Sequence, residues 1–363
     1  MAPLLAPCLA TLVLSGCLGG DGGDEPHRVE GGVATVYSSV PRHGVSASTA
    51  EAVLAGERRA LADRGGRAGG LRIRLRELPA TDADAERPWE PDLVAENAHR
   101  AADDPDAIAY LGELDFGATA VSLPITNDAG LLQVSPGDGL TSLTERARRG
   151  PRSGPERYYP TGTRSFVRIG PPDSAEAKAL VARLDAAGAT RIAIVFDREI
   201  YGRELATQLT VRGREEGLEA VASEVYSARP DEIPEIVRGL AESRPDAVVY
   251  LGVAGRGTVP LLTALGEQLP GVPVHAASGI LANPELALPP DAPEIEAVGP
   301  ALLPERAGYR AMRLVLKAVA EGGRDRRRVI TAARRLARAA PPTPLVLYRP
   351  GDDGRFQARF SPR

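Results

Sequence analysis

Ala107–Pro136 reads AIAYLGELDFGATAVSLPITNDAGLLQVSP, with an apolar run near each end. The first run predicts a buried strand over Ile108–Leu111, and the second predicts another over Leu131–Val134. The segment between them predicts a loop over Gly112–Gly117 followed by a helix. This strand–helix–strand unit places two loops at one edge of a parallel sheet, where the ligands of open α/β proteins bind.

The same alternation of strands and helices continues on both sides of this unit. Upstream, apolar periodicity predicts strands over Val33–Tyr37 and Leu71–Arg76 and helices over Ser48–Asp63 and Asp92–Ala102. Downstream, further strands are predicted at Ser165–Ile169, Arg191–Phe196, Ala220–Tyr226, Ala247–Leu251 and Val272–Ala276. The tail is expected to add two helices and two extended segments, Pro341–Tyr348 and Arg355–Phe360.

A long connection rich in Arg, Gly and Pro, Thr144–Arg164, interrupts this pattern and predicts a domain boundary. A chain of 363 residues is long enough for two domains, each with its own core. The fold class predicted from these patterns is therefore α/β, with two Rossmann-like, doubly wound lobes.

The N-terminus resembles the signal of a bacterial lipoprotein. Residues 1–17, MAPLLAPCLATLVLSGC, form an apolar run too short to span a bilayer and end in Leu14-Ser15-Gly16-Cys17. The pattern predicts cleavage of residues 1–16, acylation of Cys17 and a Gly- and acid-rich tether up to residue 32. An ordinary secretory signal with an incidental cysteine is the alternative. Cleavage would also remove Cys8, so no disulfide or thiol chemistry is expected in the folded part.

Composition and motifs argue against nucleic-acid binding, catalysis and a metal or other cofactor. The formal net charge is −4, and no aromatic residues interleave with the Arg row of Leu71–Arg76. The chain contains no G-x-S-x-G motif, and Ser174 and Lys178 do not have the spacing of a Ser-x-x-Lys pair. The histidines show no metal-ligand spacing. No catalytic residue, metal site or cofactor is therefore predicted.

Four segments, in this order, resemble the leucine/isoleucine/valine-binding proteins, which are type I periplasmic binding proteins of ABC importers. They are GELDFGATAVSLPITNDAGLLQVSPG (112–137), RSFVRIGPPDS (164–174), RIAIVFDREIYGRELA (191–206) and PDAVVYLG (245–252). The resemblance implies lobes joined by three crossover segments, expected near Ser165, Gly279 and Leu345. It implies an N-terminal lobe of residues 33–163 and 281–340 and a C-terminal lobe of residues 164–280 and 341–363. A ligand would lie between the lobes, which close by a hinge.

By the same resemblance, the ligand contacts come from loops at the edge of the cleft. In the first lobe these loops contain Asp115, Phe116, Gly117, Ala118 and Thr119, and Pro136, Gly137, Asp138 and Gly139. The helix that starts near Thr119 offers free N–H groups and a partial positive charge, which suit a ligand carboxylate. In the second lobe, Tyr201 is expected against the ligand, and Gly252 and Ser278 lie in loops expected to face the cleft. A capping role for Thr119 and a packing role for Tyr201 are the alternatives.

Two features argue against a branched-chain amino acid as the ligand. Relatives that bind amino acids carry several Ser or Thr residues in the first loop, where this chain has Asp115–Ala118. They also carry an acidic residue for the ligand ammonium in the loop that here reads Ala276–Ile280. A buried ammonium without a counter-charge is costly, so Asp115 or Asp138 would have to supply one.

The sequence thus predicts an extracytoplasmic, lipid-anchored solute-binding protein. It is expected to capture a small polar organic solute, such as an amino acid or amide, and to deliver it to an ABC permease in the membrane. The alternative is a sensory or structural docking module of the same fold with a divergent or empty cleft, and an enzyme ranks third. Thr144–Arg164, with Tyr158 and Tyr159, is a candidate cover for the cleft.

Overall fold

Two sheets of mainly parallel strands form the framework of the protein. The computed structural model describes residues 28–84, 87–114, 116–146, 154–227, 229 and 231–359. Cys17 and Asp115 therefore lie outside the described residues. Of the helices in these ranges, none is both long and apolar enough to cross a lipid bilayer.

The first sheet has the strand order β2-β3-β1-β4-β5-β6, and only the β2–β3 pair is antiparallel. Its strands are β1 Val33–Val40, β2 Arg67–Ala68, β3 Leu71–Pro79, β4 Ala107–Leu111, β5 Leu132–Ser135 and β6 Phe166–Arg168. Every residue of β4 is buried, as expected for a central parallel strand with helices on both faces.

The second sheet has the order β13-β12-β11-β10-β9-β7-β8, with antiparallel pairing at β11–β12 and β12–β13. Its strands are β7 Arg191–Asp197, β8 Glu219–Tyr226, β9 Ala247–Leu251, β10 Val274–Ala276, β11 Ile295–Pro300, β12 Leu345–Pro350 and β13 Phe356–Arg359. The two sheets confirm the predicted α/β fold with two doubly wound lobes.

Helices cover both faces of each sheet. They are α1 Ala47–Ala62, α2 Pro91–Ala102, α3 Thr119–Asp128, α4 Asp173–Ala186, α5 Ile200–Glu215, α6 Ile233–Glu242, α7 Thr258–Gln268, α8 Pro304–Gly322 and α9 Arg326–Ala339. On the first sheet, α1, α8 and α9 share one apolar cluster, and α2 packs on the opposite face. On the second sheet, α6 and α7 cover one face and α4 and α5 the other.

Two strands, β6 and β11, do not lie in the lobe in which the sequence predicts them. β6 belongs to the first sheet, although residues from 164 onward were assigned to the C-terminal lobe. β11 belongs to the second sheet, although residues 281–340 were assigned to the N-terminal lobe. The chain therefore crosses between lobes at residues 169–172, 301–303 and 340–344, and the crossing expected near Gly279 is wrong. Pro293 precedes β11, Pro300 ends it and Glu296 lies within it, so its sequence lacks the apolar run of the other parallel strands.

The predicted tether is shorter than expected. Val29 is fully buried in the apolar cluster of the first lobe, and its N–H donates to the Arg324 carbonyl at 3.0 Å. Arg28 forms a β-bridge with Asp325. Residues 28–32 therefore belong to the folded lobe rather than to a free spacer.

Candidate functional site

A cavity of about 280 Å³ lies between the lobes, and we call it the interlobe cavity. Its first-lobe wall is built from α1 and from the loops that follow β4 and β5. Its second-lobe wall is built from the start of α4 and from the segments on either side of β11. The lining residues are Thr49, Val53, Leu114, Phe116, Pro136, Gly137, Gly139, Gly170, Pro171, Asp173, Glu176, Ser278, Leu281, Ala282, Asn283, Pro284, Leu286, Pro300, Leu302, Leu303, Pro304, Ala307, Tyr348 and Phe356.

The predicted ligand-binding residues divide into two groups. Those that line the interlobe cavity are Phe116, Pro136, Gly137, Gly139 and Ser278. Those that do not are Gly117, Ala118, Thr119, Asp138, Tyr201 and Gly252. Contact of the first group with a ligand stays a prediction.

Asp138 joins the two first-lobe loops instead of facing the cavity. Its Oδ1 accepts hydrogen bonds from the N–H groups of Gly117 (3.3 Å) and Leu140 (3.0 Å). Its Oδ2 accepts the N–H of Thr119 at 3.0 Å, and the side chain is almost fully buried. The N–H groups expected to be free for a ligand carboxylate are therefore used internally at Gly117 and Thr119. The carboxylate of Asp138 is likewise occupied by these donors and does not serve as a counter-charge for a ligand ammonium.

A buried hydrogen-bond network under the same loop was not predicted. Glu113 accepts the Tyr110 hydroxyl at Oε1 and the Ser39 hydroxyl at Oε2, each at 2.7 Å. Burial raises the pKa of Glu113 to about 7. The Glu113 N–H donates to the Thr119 hydroxyl at 3.1 Å, so Thr119 stabilises the loop after β4. The network fixes the chain next to Leu114 and Phe116, which line the cavity.

Phe116 and Tyr201 form a contact between the lobes. Their ring centroids are 4.6 Å apart and the rings are tilted by 51°. Tyr201 is buried, and its hydroxyl accepts the Gly279 N–H at 3.0 Å. A Cβ on Gly279 would lie 2.4 Å from the Gly252 carbonyl oxygen, so this approach of two loops requires glycine at position 279. This geometry agrees with the alternative interpretation of Tyr201, in which the side chain has a packing role.

Asp173 and Glu176 are the carboxylic acids among the described residues that line the interlobe cavity, and both stand in the first turn of α4. Neither caps α4, whose N-cap position is Pro172. Both are buried, with exposures of 2% and 3%. Glu176 accepts the Ser278 N–H at 3.2 Å, whereas Oδ2 of Asp173 has no hydrogen-bond partner among the described residues. The sequence signal that could have identified this pair is the presence of two acids in the first turn of a helix that directly follows a crossover.

Burial and mutual repulsion control the charge of this pair. Burial raises the pKa of Asp173 well above its usual range, and the nearby carboxylate of Glu176 raises it further. Burial raises the pKa of Glu176 to about 7, although hydrogen bonds from Ser278 and Tyr201 lower it. Their position in the first turn of α4 favours the charged forms through the helix dipole.

The segment proposed as a cover packs elsewhere in its described part. Tyr158 and Tyr159 join an apolar cluster with Leu123, Leu143 and Phe166 in the first lobe. None of residues 154–164 lines the interlobe cavity. Among the residues that the structure describes, no group of three or more His, Cys, Asp or Glu is arranged to hold a metal ion.

Comparison with known proteins gives a consistent set of similarities. Residues 38–293 match the family model described as periplasmic binding protein. An amino acid binding protein from Pseudomonas aeruginosa is 24% identical over 228 residues, which are 63% of this chain and 56% of that protein. The match therefore spans little more than half the length of that relative.

Solved structures show the same fold at low sequence identity. A solute-binding protein of an ABC transporter from R. palustris, in complex with 4-hydroxybenzoate, superposes with a TM-score of 0.71 and 16% identity, over 90% of this chain and 95% of that one. A leucine binding protein, LivK, from Thermotoga maritima superposes with a TM-score of 0.68 and 16% identity, over 90% of this chain and 98% of that one.

Proposed function

Because the chain belongs to the periplasmic binding protein family, we propose that it is an extracytoplasmic, lipid-anchored solute-binding protein of an ABC transporter. It captures a small polar organic solute in the interlobe cavity and delivers it to a permease in the membrane. The observation that carries this proposal is a cavity with walls from both lobes, at the carboxyl ends of β4 and β5. A ligand there would contact both lobes and favour their closed arrangement.

The relatives support the same class of function. One is described as an amino acid binding protein, and others are solute-binding proteins of ABC transporters. The ligand itself does not follow from them, because their sequence identity to this chain is low. Leu114, Leu281, Leu286 and Leu303 supply apolar surface, and Asp173 and Glu176 supply the ionisable groups.

The test is thermal unfolding of the full chain, purified in detergent, with a panel of amino acids, amides, carboxylates, amines and polyamines. A ligand at about 100 times its dissociation constant stabilises the folded state by roughly 2.7 kcal/mol, which raises the unfolding temperature measurably. At least one member should raise it. If no compound across the whole panel does so, the docking-module alternative replaces solute binding.

The lipid anchor is tested separately in the cell. Cys17→Ala removes the proposed acylation site and should move the protein from the membrane fraction to the soluble fraction. Cys8→Ala is the matched control and should leave the protein in the membrane fraction. Release by both variants, or by neither, would contradict acylation at Cys17.

A further inference from the structure

The lining of the interlobe cavity is acidic as well as apolar. Among the described residues that line it, two carry carboxylates, Asp173 and Glu176, and none is Arg, Lys or His. A buried carboxylate without a donor is unfavourable, because it has lost its water and gained no hydrogen bond. Oδ2 of Asp173 has no donor among the described residues, and the raised pKa of this group means that the free protein keeps it protonated until a cationic partner is supplied. The cavity therefore has an unused acceptor and no group that would neutralise an anionic ligand.

The charged side chains around Asp173 do not supply the missing hydrogen-bond donor or counter-charge. Arg168 is the basic side chain that acts on Asp173, but its two terminal nitrogens each donate at 2.7 Å to the carbonyls of Gly139 and Leu140. Asp138, Glu176 and Glu204 all act on Asp173 with the opposite sign. The surroundings of the acceptor thus favour a cation over an anion.

The geometry also places the acceptor firmly. A Cβ on Gly139 would lie 2.1 Å from Oδ1 of Asp173, so this carboxylate rests directly against the backbone of the loop after β5. Gly139 and Asp173 come from opposite lobes, and both line the cavity. A cationic group beside Asp173 would therefore lie at the junction of the two lobes, with apolar surface from Leu114, Phe116 and Leu281 around the rest of the ligand.

We propose that the ligand of the interlobe cavity is a small organic monocation, an amine with an apolar body, whose ammonium is held by Asp173 and Glu176. This inference rests on the proposed function and specifies its ligand class. A carboxylate on the ligand would meet two acidic side chains and no basic one, so the preferred ligand lacks one. Simple amines should therefore bind more tightly than the amino acids and acids of the same carbon skeleton.

The test compares ligands that share a skeleton and differ in charge. 3-Methylbutylamine, 3-methylbutanol, 3-methylbutanoate and leucine form one series, and 2-phenylethylamine, 2-phenylethanol and 3-phenylpropanoate form another. Titration calorimetry on the full chain in detergent should give the amine the highest affinity in each series, at least tenfold above the acid. Tighter binding of the acid or of leucine would overturn the proposal. The proposal would also be overturned if no member of either series bound. In that case the thermal-unfolding panel described under the proposed function still tests whether the protein binds a solute of another class.

Two variants assign the ammonium site. Asp173→Asn and Glu176→Gln should each weaken amine binding at least tenfold while changing alcohol binding less than threefold. Glu235→Gln removes an exposed acid in the first turn of α6 and is the matched control, with no expected change in affinity. Equal amine affinity of the wild type and Asp173→Asn would overturn the assignment. If Asp173→Asn does not fold, Glu176→Gln provides the same comparison.

The pH dependence supplies a second readout. Because the pKa of Glu176 is raised to about 7, its carboxyl is largely protonated in the free protein at pH 6 and charged at pH 8. Amine affinity should therefore rise between pH 6 and pH 8, while alcohol affinity stays level. The rise should be smaller in Glu176→Gln, where Asp173, whose pKa is also raised, is the carboxyl of the pair that remains. A flat amine profile in the wild type would contradict the role given to Glu176.

Discussion

Glu57, in α1, is a fully buried acid whose two carboxyl oxygens have no hydrogen-bond partner among the described residues. Burial raises the pKa of Glu57 to about 8, from a normal value of 4.5. In the folded state the group therefore keeps its proton over a range in which the unfolded chain has lost it. The folded state binds more protons than the unfolded state between these two values, so stability falls as the pH rises through that window.

Glu57→Gln should remove this dependence. Between pH 5 and pH 8 the free energy of unfolding of the variant should rise relative to that of the wild type by a few kcal/mol, because a tenfold difference in proton affinity between the folded and unfolded states corresponds to about 1.4 kcal/mol. Urea unfolding at several pH values measures the difference. Glu267→Gln, at an exposed position of α7, is the control and should track the wild type. A constant gap between Glu57→Gln and the wild type over this range would contradict the prediction.

At the scale of elements, the crossing of α1 and α8 depends on two glycines. A Cβ on Gly56 would lie 1.9 Å from the Glu305 carbonyl oxygen, and one on Gly308 would lie 2.0 Å from the Val53 carbonyl oxygen. The two helices are thus in backbone contact, which no larger residue permits. Val53 and Ala307, next to this contact, line the interlobe cavity, so the crossing also sets one wall of the site.

Gly308→Ala should therefore destabilise the protein, although alanine is the better helix former. Overpacking of this kind costs about 1–3 kcal/mol, which exceeds a helix-propensity gain of roughly 1 kcal/mol or less. Gly239→Ala in α6 is the matched control, because its Cβ would lie at an ordinary 3.6 Å from Glu224. The control should be neutral or stabilising in chemical denaturation. Equal stabilisation by both substitutions would mean that the helices can separate without cost.

At the scale of the whole molecule, polar contacts outside the lining of the cavity hold the lobes together. Glu204, in α5 of the second lobe, accepts the N–H and the hydroxyl of Ser142 in the first lobe, at 2.9 and 3.0 Å. Gln208 donates to the Thr141 hydroxyl at 3.0 Å. Neither Glu204 nor Gln208 lines the interlobe cavity. These contacts therefore stabilise the observed arrangement of the lobes, in which both lobes contribute to the cavity.

The double variant Glu204→Ala/Gln208→Ala should shift the ligand-free protein towards an open arrangement. The three hydrogen bonds contribute about 0.5–1.5 kcal/mol each, so the affinity for an uncharged ligand, which is insensitive to the lost charge of Glu204, should fall at least tenfold through the smaller population of the closed state. Small-angle X-ray scattering should show a larger radius of gyration without ligand and the wild-type value at saturation. Thr207→Ala, an exposed site on the same helix, should change neither quantity. An unchanged radius and affinity in the double variant would show that these contacts do not control closure.

Sequence periodicity was sufficient for most of the elements and for the presence of two lobes, but not for β11 or for the lobe to which β6 belongs. The apolar runs around Ile108 and Ala247 predicted β4 and β9 because burial on both faces of a parallel strand leaves a local pattern. The loops after β4 and β5 could be placed at the cleft edge for the same reason, and Phe116, Pro136 and Gly137 do line the cavity. β11 could not be predicted, because Glu296 within it is held by Arg183 and Arg349, which are distant in sequence.

The roles of the acidic side chains depended on the tertiary structure alone. Asp138 and Asp173 both stand in loop or helix-start positions that look alike in sequence. In the fold, the carboxylate of Asp138 accepts three backbone N–H groups of its own lobe. Asp173 faces the other lobe, and its Oδ2 has no partner in the part of the chain that the structure describes. Whether a carboxylate is available to a ligand depends on which donors the crossovers bring to it. The sequence by itself thus determined the fold and the edge of the sheet where a ligand would bind, and the packing of the lobes decided which charges meet there.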